Sequence, residues 1–505
     1  MFKKLILTLS FLLFINVFSY SQDFGKVHQL IIDGIDAVFD VDFNTALTKF
    51  KEAKTIAPND LRGPFFESSV YFWQAMLTKN KNDYETFLSL SDKTVEHCEK
   101  VVDVNENDLD ARLYLGWTLT MRAFGIGYMG DNYLQAASEA KEGNENLKYI
   151  IEKNPNYIDA YLGLGVYNYS LSFIPRRLQW LTSILGFSGD RDEGKKMLTL
   201  ASEKGVYTGS EAKFYMVLLL WREEDYPLAE NYMSKLSGKY PKSPAVWMLN
   251  GLLLTQQDKM DDAIKAYEKA LEYNKGKESE IIFRTAYGAL GSANFRINNF
   301  EKASEFGKKY MSYTTKDDNI NNRLHSIGVS LELLGRRSEA LSYYNQAKTD
   351  IREGNDWEKF WLRKLRIRQS NPVSQVDSLL IVADNNRATG RLDDAIKDYN
   401  KLNSEYYPSS NDDIKVQINH GTAQVYSKKK DYNKAIELFT MNLSLNPSEE
   451  KWLIPEAYYQ IGRCYMRLGD RKKAEEFFDK ANDIDYDYDF KDSMDGKIKN
   501  ELSKK

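Results

Sequence analysis

The sequence predicts an all-α protein built from repeated helical hairpins stacked as a solenoid, about ten to eleven helix pairs long. Three observations predict it. Apolar residues recur at helical spacing along most of the 505 residues, in a chain with 13% aromatics and few β-branched runs. Breaks such as Pro58-Asn59-Asp60 and Asn154-Pro155-Asn156 separate the apolar stretches and supply turns and N-caps. The same small and aromatic residues also return with a period of 34.

The clearest copy runs from Val27 to Asp60, with Gly34 at repeat position 8, Ala46 at 20, Phe50 at 24, Ala53 at 27 and Pro58 at 32. This spacing resembles the tetratricopeptide repeat, whose small residues at 8 and 20 let two antiparallel helices approach closely. A degenerate unit follows over Leu61 to Asp108, with Tyr71, Phe72 and Trp73 on its first helix and Val95, Val101 and Val102 on its second. Units opened by Leu115-Gly116 and by Tyr161 with Leu164-Gly165 have late second helices, so each is expected to carry an insertion of about 15 residues between its helices. From Ser210 the spacing is regular: Ala229 and Pro241, then Trp247, Gly251, Ala263, Tyr267 and Ala270, then Tyr287, Gly291 and Ala303, then Gly328, Ala340, Tyr344 and Ala347. After Gly354 a non-repeat helix, "DWEKFWLRKLRIRQSNP", ends before Pro372, where the missing amide and the ring clash oppose helix continuation. Ala395 with Tyr399, then Ala435, Phe439 and Pro447, then Tyr458, Gly462, Ala474, Phe478 and Ala481 mark three last units. The expected organisation is a signal peptide (1–21), degenerate repeats (22–205), regular repeats (206–354), a linking helix (355–372), carboxy-terminal repeats (373–488) and a capping tail (489–505). Stacking of such units gives a right-handed superhelix whose first helices line the concave face.

The amino terminus reads as an export signal. Lys3 and Lys4 precede an apolar run from Leu5 to Phe18, and Ser19-Tyr20-Ser21 places small residues at a cleavage site before Gln22. About 14 apolar residues fall short of the roughly 20 that span a bilayer, so cleavage rather than anchoring is expected. Neither Cys98 nor Cys464 follows the apolar run, which argues against a lipid-anchored mature start. Both read as small buried residues, without a structural disulfide. The protein is therefore expected to be exported, periplasmic and not a lipoprotein. With 69 basic against 73 acidic residues, interleaved along helix surfaces, the chain shows no nucleic-acid face.

Residues 160–194 depart most from the repeat. Pro175 suits a helix first turn, Leu178, Leu181, Ile184 and Leu185 share one face bordered by Trp180, Gly186 suits its end, and Asp190 with Glu193 reads as a capping box. Gly165, Asn168, Ser172, Pro175, Gly186, Phe187, Gly189, Asp190, Arg191 and Gly194 together resemble the family of yeast inclusion-body-clearance protein and animal tetratricopeptide repeat protein 39. The resemblance covers about 40 residues. It implies a non-enzymatic repeat protein of the kind associated with organelles and lipid droplets, although a bacterial-type signal departs from that setting. Two readings of the inserted helix stay open. Arg176, Arg177, Trp180, Leu181, Ile184 and Phe187 present a face to a membrane or partner, or that face packs back on adjacent repeats.

Catalytic templates are absent. The four histidines, His28, His97, His325 and His420, fall in different repeats without metal-ligand spacing, and there is neither a nucleophile elbow nor a phosphate loop. Ser210 to Lys213 matches Ser-x-x-Lys without its companion motifs. No enzyme activity, cofactor or metal is expected. If repeat positions 2, 5, 9 and 12 line the concave face, its candidate contacts are Tyr169, Met248, Leu252, Phe295, His325, His420, Tyr459 and Arg463, a mixed groove suited to an extended or helical peptide. The linking helix carries Trp357, Phe360, Trp361 and Leu365 among Arg363, Lys364, Arg366 and Arg368, which fits either an anionic lipid surface or a seam between repeat arcs. The expected function is an exported scaffold for a protein or peptide, the alternative a membrane-associated protein using residues 175–187.

Overall fold

In a computed structural model the described residues are 25–130, 132–171, 189–315, 318–351 and 355–503, and they form helices and turns with no strand among them. Eleven helix pairs are present among the described residues, beginning with 25–39 and Phe43–Ile56 and ending with Leu453–Leu468 and Arg471–Asn482. The helix Asp356–Ser370 stands between the eighth and ninth pairs, and Lys491–Ser503 closes the chain. Short polar residues start many of these helices: Asp42, Asn80, Asp108, Asn132, Asp225, Asn299, Asn411, Asp431 and Asp470 each accept a bond from a first-turn backbone amide. Each such cap satisfies an amide that the helix itself leaves unpaired.

The third pair corrects one expectation. Its surplus residues lie in the helices themselves, Leu109–Met129 and Tyr133–Lys153, each of 21 residues, and only three residues separate them in sequence. Gly130 ends the first of these helices at a φ of +81°. In the fourth pair, Ala160–Leu171 is followed by Arg191–Lys204. Asp190 caps the latter by accepting from the Asp192 and Glu193 amides at 2.9 Å, the half of the capping box that it contributes. The candidate face at Arg176, Arg177, Trp180, Leu181, Ile184 and Phe187 lies outside the described residues.

Repeat position 8 has a more specific task than close helix approach. In three repeats the ring at position 24 sits directly on it: Phe50 on Gly34, Tyr344 on Gly328 and Phe478 on Gly462. All three rings are fully buried. A methyl group at any of these glycines would overlap ring carbons, so Gly328→Ala is expected to cost about 1–2 kcal/mol through overpacking, read as a lower denaturant midpoint at unchanged slope.

Two compact units divide the chain, Met1–Leu253 with Lys269–Ile282, and Leu254–Glu268 with Phe283–Lys505. The division falls within the regular repeats, and the linking helix, where the sequence suggests a boundary, lies inside the second unit. The first unit folds back on itself. Tyr240 stacks on Phe39 with centroids 4.8 Å apart and donates its hydroxyl to Asp36 at 2.7 Å, while the Ser243 hydroxyl donates to the Phe39 carbonyl at 2.6 Å.

The linking helix is an interior part of the second unit. Phe360 is buried among Trp357, Trp361, Trp452 and Phe490, at centroid distances of 5.0 to 6.1 Å. Arg363 pairs with Asp489 at 2.7 Å, Lys364 with buried Glu450, and Arg368 with Asp377 at 3.0 Å. Three of its four candidate basic residues are thus committed to carboxylates of the same unit, and Phe360 with Trp361 packs into a seam, while Trp357 is exposed. Among the described residues no helix is long and apolar enough to cross a membrane.

Candidate functional site

The eight positions expected to line an open groove are largely packed. Tyr169, Met248, His420 and Tyr459 are buried, and Leu252, Phe295, His325 and Arg463 are half-buried. Their own unit covers several of them. His325 meets Trp361 of the linking helix at 5.1 Å, and His420 lies 5.2 Å from Phe439 and 6.3 Å from Trp452. Burial, helped by Arg368 and Lys364, drives the His325 imidazole down to about 3; burial and Arg387 do the same to His420. Both rings are neutral packing groups near neutral pH. The Phe295 carbonyl accepts a bond from Asn385 at 2.8 Å, so that end of the register meets the helix Gln375–Ala388. Tyr169 donates to Glu223 at 3.3 Å, and Arg463 stands over the Tyr459 ring at 5.9 Å and near Glu501 at 3.6 Å.

Open apolar space is found instead inside the first unit. A cavity of about 150 Å³ is lined by Ile35, Val38 and Phe39 from the first helix, Phe66, Ser69, Trp73 and Leu77 from Arg62–Thr78, and Tyr207, Glu211, Phe214 and Val246 from farther along the chain. A smaller space of about 60 Å³ adjoins it in sequence terms by sharing Phe66, Tyr207 and Glu211, and adds Trp117, Leu162, Val166 and Tyr215. These walls come chiefly from first helices of the repeats, the set that the register assigns to the concave face. Because the unit folds back through Phe39 and Tyr240, that face borders a half-open cavity. Val41, on its wall, is held at a φ of +59°, a strained conformation for a β-branched residue.

A chain of polar contacts fixes the far wall. Asp159 accepts from the Tyr207 and Thr208 amides at 3.1 Å and from the Thr208 hydroxyl at 2.6 Å, setting the turn that opens the helix Gly209–Arg222. Arg62, itself paired with Asp60, donates to the Tyr207 hydroxyl at 3.0 Å, and His28 Nδ1 lies 2.7 Å from the same oxygen. Tyr207 is thereby locked with its ring against both spaces. Glu211, one turn on, is the only carboxyl in either lining, and no basic residue lines them. It has no hydrogen-bond or ion-pair partner among the described residues. Removal from water pushes its carboxyl up from 4.5 to about 7. Its place in the first turn of a helix would favour the anion, yet desolvation wins.

Among the described residues the Ser-x-x-Lys match forms no catalytic pair. Lys213 donates to the carbonyls of Ser202 and Gly209, and the Ser210 hydroxyl lies 2.8 Å from that of Tyr240, so the Ser-x-x-Lys match is spent on structural bonds. Among the described residues no cluster of His, Cys, Asp and Glu could hold a metal ion, and Cys98 and Cys464 are buried free thiols.

Residues 139–283, which include Asp159, Tyr207 and Glu211, match the family described as Iml2/Tetratricopeptide repeat protein 39, and residues 455–488 match the tetratricopeptide repeat. The chain carries tetratricopeptide repeats. The first match contains the segment whose residues resemble that family. Similar proteins include tetratricopeptide repeat protein ttc-39B of Caenorhabditis elegans, 22% identical over 271 residues, covering 43% of this chain and 46% of the relative. Another is a DnaJ homolog subfamily C member 7 homolog of Dictyostelium discoideum, 23% identical over 269 residues and covering 50% and 48%. The chain thus spans about half the length of these curated relatives. Among solved structures, a tetratricopeptide repeat protein from Parabacteroides merdae is similar at 16% identity and a TM-score of 0.25, over 58% of this chain and 99% of that one.

Proposed function

We propose that this chain is an exported, non-enzymatic repeat scaffold that acts in the periplasm and binds a protein or peptide partner through the cavity of its first unit. The observation that carries this reading is the half-open apolar cavity between Trp73, Phe214 and Val246, formed by the helices that the repeat register assigns to partner contact. A partner's apolar side chain entering it would remove its own surface and the cavity walls from water together, at about 25 cal/mol per Å². Export is supported by the basic, apolar and small-residue pattern of the first 21 residues, which fits a mature start at Gln22.

Ala245 stands on the cavity wall and is half-buried, so Ala245→Phe would fill the space from its edge. Wild-type and Ala245→Phe chains, matched for helicity and melting temperature, would be used to capture partners from envelope extract. The expected result is a stoichiometric partner whose recovery drops at least tenfold with the filled cavity. Equal recovery by both would remove the cavity as the binding site.

A further inference from the structure

We propose that the cavity of the first unit recognises an alkylammonium group, such as a lysine side chain of the partner, with Glu211 as its counter-charge and the surrounding rings as its walls. This rests on the reading of the cavity as the partner's site and names the chemistry that the site selects.

Most hydroxyls of the two linings are already committed: Ser69 donates to the Phe66 carbonyl at 2.8 Å, Thr120 to Gly116 at 2.8 Å, Thr208 to Asp159 at 2.6 Å, and the Tyr207 oxygen is held by Arg62 and His28, while the Tyr215 hydroxyl and the unpartnered Trp117 Nε1 belong to the smaller lining alone. Glu211 alone presents an uncommitted acceptor to both spaces. Glu211 is half-buried, and a carboxyl that faces an apolar lining without a partner there favours a ligand that brings a donor. A neutral apolar ligand would leave the carboxyl as it stands. A carboxylate-bearing ligand would add a like charge. An ammonium ion supplies a charge-assisted hydrogen bond to a half-buried carboxylate that the apolar lining already shields in part from water, which lowers the further desolvation that pairing requires. The aromatic faces of Phe66, Tyr207, Phe214 and Trp73 favour a cation over an isosteric neutral head. The aliphatic stem meets Ile35, Val38 and Leu77. A guanidinium is wider and planar, whereas a primary ammonium on an unbranched chain suits a space of about 150 Å³.

The test uses the full mature chain and three isosteric probes, n-hexylamine, n-hexanol and hexanoate, titrated calorimetrically at pH 8. Hexylamine is expected to bind at least tenfold more tightly than hexanol, with hexanoate weakest. Glu211→Gln keeps shape and removes charge, and should bring hexylamine and hexanol within twofold of each other. Equal binding of the two by the wild type, with hexanol lost in Ala245→Phe, overturns the ammonium anchor while leaving the cavity as a site. A preference for hexylamine that survives Glu211→Gln overturns the role of Glu211. Failure of all three probes to bind overturns the anchor proposal, and the partner-capture comparison then decides the cavity's role on its own.

Discussion

Phe360→Ala is expected to destabilise the second unit by about 3–5 kcal/mol, the usual cost of deleting a buried ring that its surroundings cannot collapse to replace. Phe360 is 8% exposed and is the common neighbour of Trp357, Trp361, Trp452 and Phe490, with Arg363 and Lys364 over its face at 5.5 and 5.4 Å. Its removal leaves a void where the linking helix meets segments near residues 450 and 490. Three of the chain's eight tryptophans lie at this junction, so intrinsic fluorescence during guanidinium unfolding reports on it directly. The expected trace has an early transition that the wild type lacks, since a chain of two compact units need not unfold in one step. A midpoint shift equivalent to less than about 1 kcal/mol would mean that this helix is a surface attachment, the outcome that a lipid-binding role for it would require.

Glu211→Gln is expected to stabilise the protein at pH 8 by about 2–3 kcal/mol and to have little effect below pH 4.5. Burial raises the folded-state value of this carboxyl from 4.5 to about 7, so the native state holds its proton more tightly than the unfolded chain does. A raised carboxyl contributes no penalty while it is protonated in both states. As pH climbs from 4.5 toward 7, the unfolded chain releases its proton freely and the native state does not, and wild-type stability falls by up to 1.4 kcal/mol per pH unit. Glutamine does not titrate, so the difference between the two proteins opens across that window and is constant above it. The neighbouring titratable groups do not confuse the comparison. Burial, then Glu211 itself, raises Tyr215, and burial raises Tyr207 while Arg62 opposes it, so both titrate well above pH 8. Urea midpoints at pH 4.5, 6 and 8 would measure the effect; parallel profiles for the two proteins would show that Glu211 is solvated.

The two experiments address different halves of one question, namely where a helical-repeat chain with a packed interior keeps a place for a partner. In the second unit two of the register positions that would face a ligand are met by the unit's own linking helix and by Gln375–Ala388, through His325 with Trp361 and Phe295 with Asn385, while Arg463 borders a polar cavity of about 360 Å³. In the first unit the same class of positions lines an apolar cavity.

Sequence by itself determined the helices, their caps and their pairing, because these depend on neighbours within one or two turns or within one 34-residue unit. Asp42, Asp225 and Asp470 cap helices through residues three positions away, and Gly34, Gly328 and Gly462 receive a ring sixteen residues on. The joint at 356–370 was legible for the same reason, as an apolar face without the repeat's small residues. Tertiary structure decided what the outward positions meet. His420 has the same register position as any groove residue, and only Trp452 and Phe439, brought over it by other helices, make it a buried neutral ring. Glu211 is one acidic residue among 73 in the sequence, and its local setting is that of an ordinary first-turn glutamate. Its desolvation arises from Phe66, Trp117 and Leu162, contributed by helices far away in the chain. Local patterns fix which way a side chain leaves its own helix, but the dielectric that it enters is set by whichever helices the closure of the array brings to that point.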